Sequence, residues 1–427
     1  MKKVKIALLG LGTVGSGVWK ILKLNRENIL KKCGYEIEVA KILVRNKDKK
    51  RAVNVPKELI TTNFNEILED ESIKIVVEVM GGINPAKEYI ISSIMRKKHI
   101  VTANKMLLAI NGDEIHSAAK EEGISVYYEA SVAGGIPIIN NIKESLTSNK
   151  IDEFYGIVNG TTNYILTKMQ FDNMTFEGAL KEAQGKGYVE ADMSSDIDGY
   201  DAQYKLSILS SLAFGCSVDV NEIYREGIAN ITAQDISYAK DLGYAIKLLA
   251  IAKNSGDSLE LRVHPTMIPD THPLANVHNC FNSVFVKGNV VGELMFYGRG
   301  AGDLPTGSAV VSDIISILKN EIGVVKDSIS CELDNKSIKH VNDIESEYYI
   351  RVTTCDDKCY LAKVISILED QSVSIKSITQ NSDNNGNCVI TLITNVSREN
   401  SIKKAIDKLN TQAITQNINS IIRIENL

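Results

Sequence analysis

Asp201 and Lys205 stand four residues apart in the stretch Asp196-Ile-Asp198-Gly199-Tyr-Asp201-Ala-Gln-Tyr-Lys205. That spacing puts two side chains on one face of a helix. An ammonium beside a site where an oxyanion develops can stabilise the charge and deliver a proton to it. On an exposed helix the same pair is an ordinary ion pair worth about 0.2–0.5 kcal/mol. A calcium loop does not fit, because the oxygen-ligand spacing and the terminal glutamate of such loops are missing. A second lysine, Lys105, follows a short apolar segment (99–102), and so falls where open α/β sheets gather ligands, at the carboxyl end of a strand.

Gly10-Leu11-Gly12-Thr13-Val14-Gly15 has glycines spaced G-x-G-x-x-G, directly after an apolar run (4–9) and before an amphipathic stretch reaching about residue 30. Strand, glycine turn and helix in that order let the backbone approach a pyrophosphate, whose charge meets the positive end of the helix. The next strand should deliver the residue that reads the adenosine ribose. There the chain has Arg45 rather than an acid, with Lys47, Lys49, Lys50 and Arg51 close behind. A guanidinium suits a 2′-phosphate, so NADP(H) is expected, with NAD(H) as the alternative and a solvated basic loop as the reading without function.

The elements that must position these groups begin as alternating strands and helices. Strands are expected at 4–9, 37–44, 73–79, 99–102 and 125–129, which implies an α/β fold with a Rossmann-type doubly wound parallel sheet. After Ala130 the pattern breaks at Gly134-Gly135-Ile136-Pro137, and an α+β substrate and dimerisation domain is expected over 131–305, with strands at 151–158 and within 259–286. Gly298 to Gly307 reads as a glycine-rich loop, and 308–320 as a helix returning to the first domain. The dinucleotide-binding domain is therefore 1–130 plus 306–325. Residues 326–345 are polar and read as a linker. From 346 to 427 the order strand, helix, strand, strand, helix, strand is that of a ferredoxin-like module expected to fold separately.

Bulk properties narrow the partners. A chain of 427 residues exceeds one ordinary core, and its net charge of −5 offers no basic surplus for phosphate neutralisation, so no nucleic acid is expected. No apolar run approaches the ~20 residues of a membrane span, and the amino-terminal apolar run is too short for a secretory signal, so a cytoplasmic protein is expected. Seven scattered cysteines without CxxC pairs fit neither a disulfide framework nor a zinc site. Glycosylation-like triplets at Asn159, Asn173, Asn230 and Asn395 are chance matches in that compartment.

Gly-Leu-Gly-Thr-Val-Gly (10–15), Ala-Asn-Lys (103–105), Tyr-Glu-Ala-Ser-Val-Ala-Gly-Gly-Ile-Pro (128–137), Gly-Thr-Thr-Asn-Tyr-Ile-Leu (160–166), Asp-Ile-Asp-Gly-Tyr-Asp-Ala (196–202) and Gly-Arg-Gly-Ala-Gly (298–302) occur in the order seen in homoserine dehydrogenases. Over about residues 4 to 320 the chain resembles that family, and the C-terminal module resembles an ACT domain. The resemblance implies NADPH-dependent reduction of L-aspartate 4-semialdehyde to L-homoserine in threonine and methionine biosynthesis. It makes Lys205 the proton donor, Lys105 a second ammonium near the carbonyl and the cofactor, and Asp201 with Glu190 the partners of the substrate's α-ammonium group. Gly160 and Thr161 would contact substrate, and Gly302 the nicotinamide half of the cofactor. Glu129, Val132, Gly134 and Ile136 would hold a monovalent cation, Na+ or K+, where the reading without function is a plain glycine-rich hinge. The family also implies a homo-oligomer and a threonine effector at the ACT-like module. Where ACT domains commonly carry Asp-x-Pro-Gly, this chain has Asp357-Lys358-Cys359-Tyr360-Leu361, with neither proline nor glycine.

Two rivals stand beside this reading. A phosphorylating semialdehyde dehydrogenase needs a cysteine nucleophile near a histidine, and neither Cys216 nor Cys280 lies in such a motif. A catalytically silent nucleotide-binding amino-acid sensor would have no need of Lys105, Glu190, Asp201 and Lys205 together.

Overall fold

Val4, Ile6, Leu8 and their neighbours form the first of six parallel strands in the computed structural model, which describes residues 2–188, 193–320, 336–354, 360–382 and 387–426. These strands are β1 (Lys2–Leu9), β2 (Tyr35–Leu43), β3 (Ile60–Thr61), β4 (Ile73–Glu78), β5 (His99–Thr102) and β6 (Val126–Tyr127). Their order is β3-β2-β1-β4-β5-β6, the doubly wound arrangement in which the chain reverses direction beside β1. Burial on both faces explains the near-continuous apolar runs in β1 and β4. The two-residue β3 is too short to leave a periodic signal in the sequence. β6 stops before the expected residue 129, because the chain turns there into a short 3-10 segment, Glu129–Ser131.

Contact grouping divides the chain into two units. The first comprises Met1–Gly160, Asp201–Asn221 and Cys280–Lys336. Besides the parallel sheet it holds an antiparallel one, in which strand Phe281–Gly288 pairs with β7 (Ile151–Ile157) on one side and with strand Gly292–Arg299 on the other. Its late helix, Asp303–Asn320, starts five residues earlier than expected at 308. Gly307, read as part of a loop, lies inside that helix. A β-carbon there would come within 2.8 Å of the Gly17 carbonyl carbon, and one at Gly17 would strike the Asp303 carbonyl. These two glycines let the late helix lie directly on the first helix (Thr13–Leu24), and Val310, Ile314 and Ile317 join Val18 and Leu22 in one core.

The second unit comprises Thr161–Tyr200, Glu222–Asn279 and Ser337–Leu427. Strands Tyr244–Asn254 and Ser258–Pro269 form a long antiparallel pair. The C-terminal module has strands Glu345–Thr354, Ile375–Ser382, Cys388–Thr394 and Thr415–Ile424, with helices Leu361–Glu369 and Glu399–Asn410. Its sheet order places the fourth strand beside the first and the third between first and second, which is the ferredoxin-like arrangement. Tyr348, Ile350, Val364, Leu368, Ile390 and Leu409 give it a core of its own. Its last strand also pairs in parallel with Ser258–Pro269. Charges cross that seam: Arg262 meets Glu425, and Arg423 meets Glu226 at 2.7 Å, while Arg423 is also held within the module by Glu399 at 2.7 Å. No helix among the described residues is long and apolar enough to cross a membrane.

Lys247, on strand Tyr244–Asn254, is 1% exposed. Its Nζ donates to the Val277 carbonyl at 2.6 Å and to Asn163 Oδ1 at 3.3 Å. Burial lowers its pKa from 10.5 to about 7. The unfolded chain therefore binds a proton that the folded one releases between those values, and folding stability must rise with pH across that window. Lys247→Met is expected to abolish this rise in chemical-denaturation midpoints measured from about pH 7 to pH 10. An identical slope in both proteins would show that Lys247 keeps its proton throughout.

Candidate active site

β1 ends in a glycine turn that fits a dinucleotide. Gly10 has φ +109°, a value L side chains rarely adopt, and a β-carbon there would lie 2.9 Å from the Val79 carbonyl oxygen. At Gly15 a β-carbon would strike the Gly10 carbonyl, whereas Gly12 faces open space. Helix Thr13–Leu24 then begins with no side-chain cap and no acidic residue in its first turn. Its leading amides and positive dipole end are left for an anion. Leu11, Thr13 and Val14 complete the turn. Arg45, just beyond β2, is exposed and makes no ion pair among the described residues. Arg51 is instead spent on its own loop, where it donates to the carbonyls of Asn46, Lys47 and Lys49. Gly302, with φ +124°, directly precedes helix Asp303–Asn320.

Lys105 opens helix Lys105–Glu122 at the carboxyl end of β5. Asn104 fixes that start: its side chain accepts from the Leu107 amide at 3.2 Å and donates to the Gly82 carbonyl at 2.6 Å. Glu78, fully buried at the end of β4, accepts from the amides of Met80 and Gly81 and from the Thr102 hydroxyl. Burial pushes its carboxyl pKa up, and those donors oppose the shift. Sequence reasoning passed over both residues. Asn104 carried a readable signal, since asparagine before a helix is a preferred cap.

Asp201 and Lys205 lie on helix Tyr200–Phe214, and the pair is buried rather than solvated. Asp201 Oδ2 meets Lys205 Nζ at 2.7 Å and also accepts from Asn159 Nδ2 at 2.9 Å. Its Oδ1 forms an ion pair with Lys105 Nζ at 2.6 Å. Lys205 Nζ donates in addition to the Val158 carbonyl at 2.6 Å. Burial opposes ionisation of Asp201, but the Lys205 and Lys105 ammoniums outweigh it and hold the carboxyl well below the usual range. Two cations on one anion leave a positive excess here, which suits an oxygen that gains charge during reaction. Asn159 went unrecognised; it stands one residue before the Gly160 motif, and asparagine at a strand end has many ordinary uses.

Gly160, where a β-carbon would approach the Cys280 carbonyl oxygen to 2.8 Å, starts helix Gly160–Phe171. Thr161 is buried on that helix, and its hydroxyl donates to the Tyr188 carbonyl at 2.8 Å. Glu190 lies outside the described residues, as do 357–359 of the ACT-like motif.

Segment 129–136 could hold a hard cation. Glu129 is 2% exposed and its carboxylate accepts from the amides of Ile139 and Asn140 at 2.8 and 2.7 Å. Burial raises its pKa. Asp313, also buried, accepts from the Glu129 amide at 2.8 Å, while its Oδ1 has no hydrogen-bond partner. The Ile136 carbonyl accepts from the Ile138 amide, whereas those of Val132 and Gly134 accept no hydrogen bond among the described residues. The buried Glu129 carboxyl and the carbonyls of Val132 and Gly134 are hard oxygen donors of the kind a monovalent ion takes. Among the described residues no cluster of three or more Asp, Glu, His or Cys side chains offers a metal site.

Comparison with known proteins gives the family. Residues 10–129 match the family model for the homoserine dehydrogenase NAD-binding domain, and 137–315 match the homoserine dehydrogenase model. The chain is 41% identical to the homoserine dehydrogenase of Bacillus subtilis over 428 residues, covering 100% of this chain and 99% of that protein. With the enzyme of Synechocystis it shares 43% identity over 437 residues, covering 99% of each. A homoserine dehydrogenase structure from Thiobacillus denitrificans superposes with a TM-score of 0.94 at 41% identity, over 100% of this chain and 99% of that one. A hyperthermophilic archaeal homoserine dehydrogenase in complex with NADPH gives a TM-score of 0.62 at 28% identity, over 74% of this chain and 97% of that one.

Asp201→Asn keeps the shape of the side chain and removes the negative charge that two ammoniums share. We expect a loss of about 3 kcal/mol in unfolding free energy, the low end for a broken buried pair because the Lys105 side chain is 40% exposed. Unchanged stability would mean that the two lysines do not depend on Asp201.

Proposed function

The chain belongs to the homoserine dehydrogenase family and is an NAD(P)-dependent oxidoreductase, and from that premise we propose that Lys205 is the proton donor of a reaction that runs between L-aspartate 4-semialdehyde and L-homoserine. The observation that carries this is the triad in which buried Asp201 holds half-exposed Lys105 and buried Lys205 by opposite carboxylate oxygens.

A nicotinamide cofactor held at the glycine turn would supply the hydride that the aldehyde carbon takes up. Lys205 holds a proton at Nζ and gives it to the carbonyl oxygen as negative charge builds there, so the product leaves as an alcohol. Lys105 adds a second ammonium, whose attraction strengthens as charge develops and so acts mainly on the transition state. Asp201 keeps both ammoniums aimed at one region. With Glu190 it also receives the substrate's α-ammonium group, which needs anionic partners to leave water. Gly160 and Thr161 line the substrate, the first by its bare backbone.

For the cofactor, Gly10 through Gly15 take the pyrophosphate, Gly302 lies by the nicotinamide half, and exposed Arg45 takes a 2′-phosphate, which favours NADPH over NADH. A Na+ or K+ ion held by Glu129 and the carbonyls of Val132, Gly134 and Ile136 braces the chain after β6 and takes no part in the chemistry. We read the C-terminal module as ACT-like, with threonine as the family's effector chemistry and assembly as the alternative role favoured by the missing Pro-Gly at 357–361, and the protein as a homo-oligomer.

Lys205→Ala is expected to lower kcat about 10²- to 10⁴-fold, the range for a general acid, while the calorimetric Kd for NADPH stays within twofold. Arg45→Ala should raise KM for NADPH and leave that for NADH nearly unchanged. Full turnover in the Lys205 variant would remove that residue from proton transfer, and parallel losses with both cofactors would remove Arg45 from phosphate recognition.

A further inference from the structure

Asn282 is 1% exposed, yet neither its Oδ1 nor its Nδ2 has a hydrogen-bond partner. It stands near the start of strand Phe281–Gly288, opposite Gly298. On the other side the register runs Ser283 to Ile157, so Asn282 lies one step further, level with Val158, whose carbonyl takes the Lys205 ammonium. The carboxamide lies flat against Gly300, where any β-carbon would fall inside it, and Oδ1 would be 3.5 Å from a β-carbon at Gly160. A fully buried amide with both functions unsatisfied is rare, because the donor and the acceptor have each given up water without replacement.

We propose that Asn282 is a binding residue for the carboxamide of the nicotinamide ring. This deepens the reading of the chain as a nicotinamide-dependent oxidoreductase and rests on it. An amide offers a donor and an acceptor side by side in one plane. Among the groups at the reacting end, the nicotinamide carboxamide alone returns the same planar pair: the aldehyde and carboxylate only accept, the α-ammonium only donates, and the adenine, which offers a similar pair, sits at the far end of the cofactor. The surroundings suit a flat group, since Gly160 and Gly300 present backbone without side chains. On one face the amide lies against the Gly300 backbone, directly after strand Gly292–Arg299. Held there, the ring is placed between the loop that precedes helix Asp303–Asn320 and the segment 158–160 that touches the triad.

The test uses full-length protein and calorimetric titration with two probes, NADPH and its reduced 3-acetylpyridine analogue, in which a methyl group replaces the amide nitrogen. Wild type is expected to bind the analogue about tenfold more weakly, the size of one hydrogen bond. Asn282→Ala, which removes both hydrogen bonds, should bind NADPH about a hundredfold more weakly than wild type and show no preference between the probes. Its ligand-free melting temperature should stay within a few degrees of wild type, because the amide removed had no partner to lose. NADPH affinity equal to wild type, or an equal loss for both probes, overturns the assignment. So does equal binding of the two probes by wild type, a readout that survives if the variant does not fold. Failure of wild type to bind NADPH at all would instead overturn the parent reading, and Lys205→Ala, which leaves Asn282 in place, should keep the wild-type preference.

Discussion

One carboxylate organises the centre of this protein. Asp201 is buried, and a lone anion there would be costly, so it is ionised only because Lys205 and Lys105 stand within 2.7 Å of its two oxygens. The dependence runs both ways, since two ammoniums so close together would repel without it. Each partner arrives from a different element: Lys205 from the same helix, Lys105 from the end of β5, and Asn159 from the end of β7. Three distant stretches of sequence are thereby fixed to one point.

That point can form only if the backbones approach closely, and glycine is what permits it. Gly10 and Gly15 close the turn after β1, while Gly17 and Gly307 let the first and last helices of the unit touch. Gly134 and Gly300 are another such pair, since a β-carbon at Gly134 would strike the Gly300 carbonyl. Buried hydrogen bonds then hold the loops these glycines release, as Glu78 does for residues 80–81 and Asn104 for the start of helix Lys105–Glu122. The glycine turn after β1, Lys205 and the segment before helix Asp303–Asn320 thus belong to one compact unit.

Much of this was legible before any coordinates. The alternation of strands and helices, the glycine spacing after β1 and the four-residue step from Asp201 to Lys205 are local patterns, and local patterns survive in a sequence. What could not be read is burial and long-range pairing. An i,i+4 ion pair looks the same in water as in a core, and nothing in the string of residues joins Lys105 to Asp201. The late helix was shortened because Pro305 and Gly307 are ordinary loop residues. Yet proline is tolerated in a helix's first turn, and this glycine serves packing against Gly17 rather than a bend. Asn282 left no signal at all, because an orphaned amide is defined by what surrounds it.

The ionisation of Asp201 is the claim on which the catalytic reading turns. Difference infrared spectra of 13C-aspartate-labelled protein, wild type minus Asp201→Asn, would isolate its carboxyl band as pH is lowered from about 7 to about 4. A carboxylate stretch that persists to the acid end of that range is the expected result. A protonated-acid band already present near neutral pH would contradict the account, for a neutral Asp201 could not hold two ammoniums at one site.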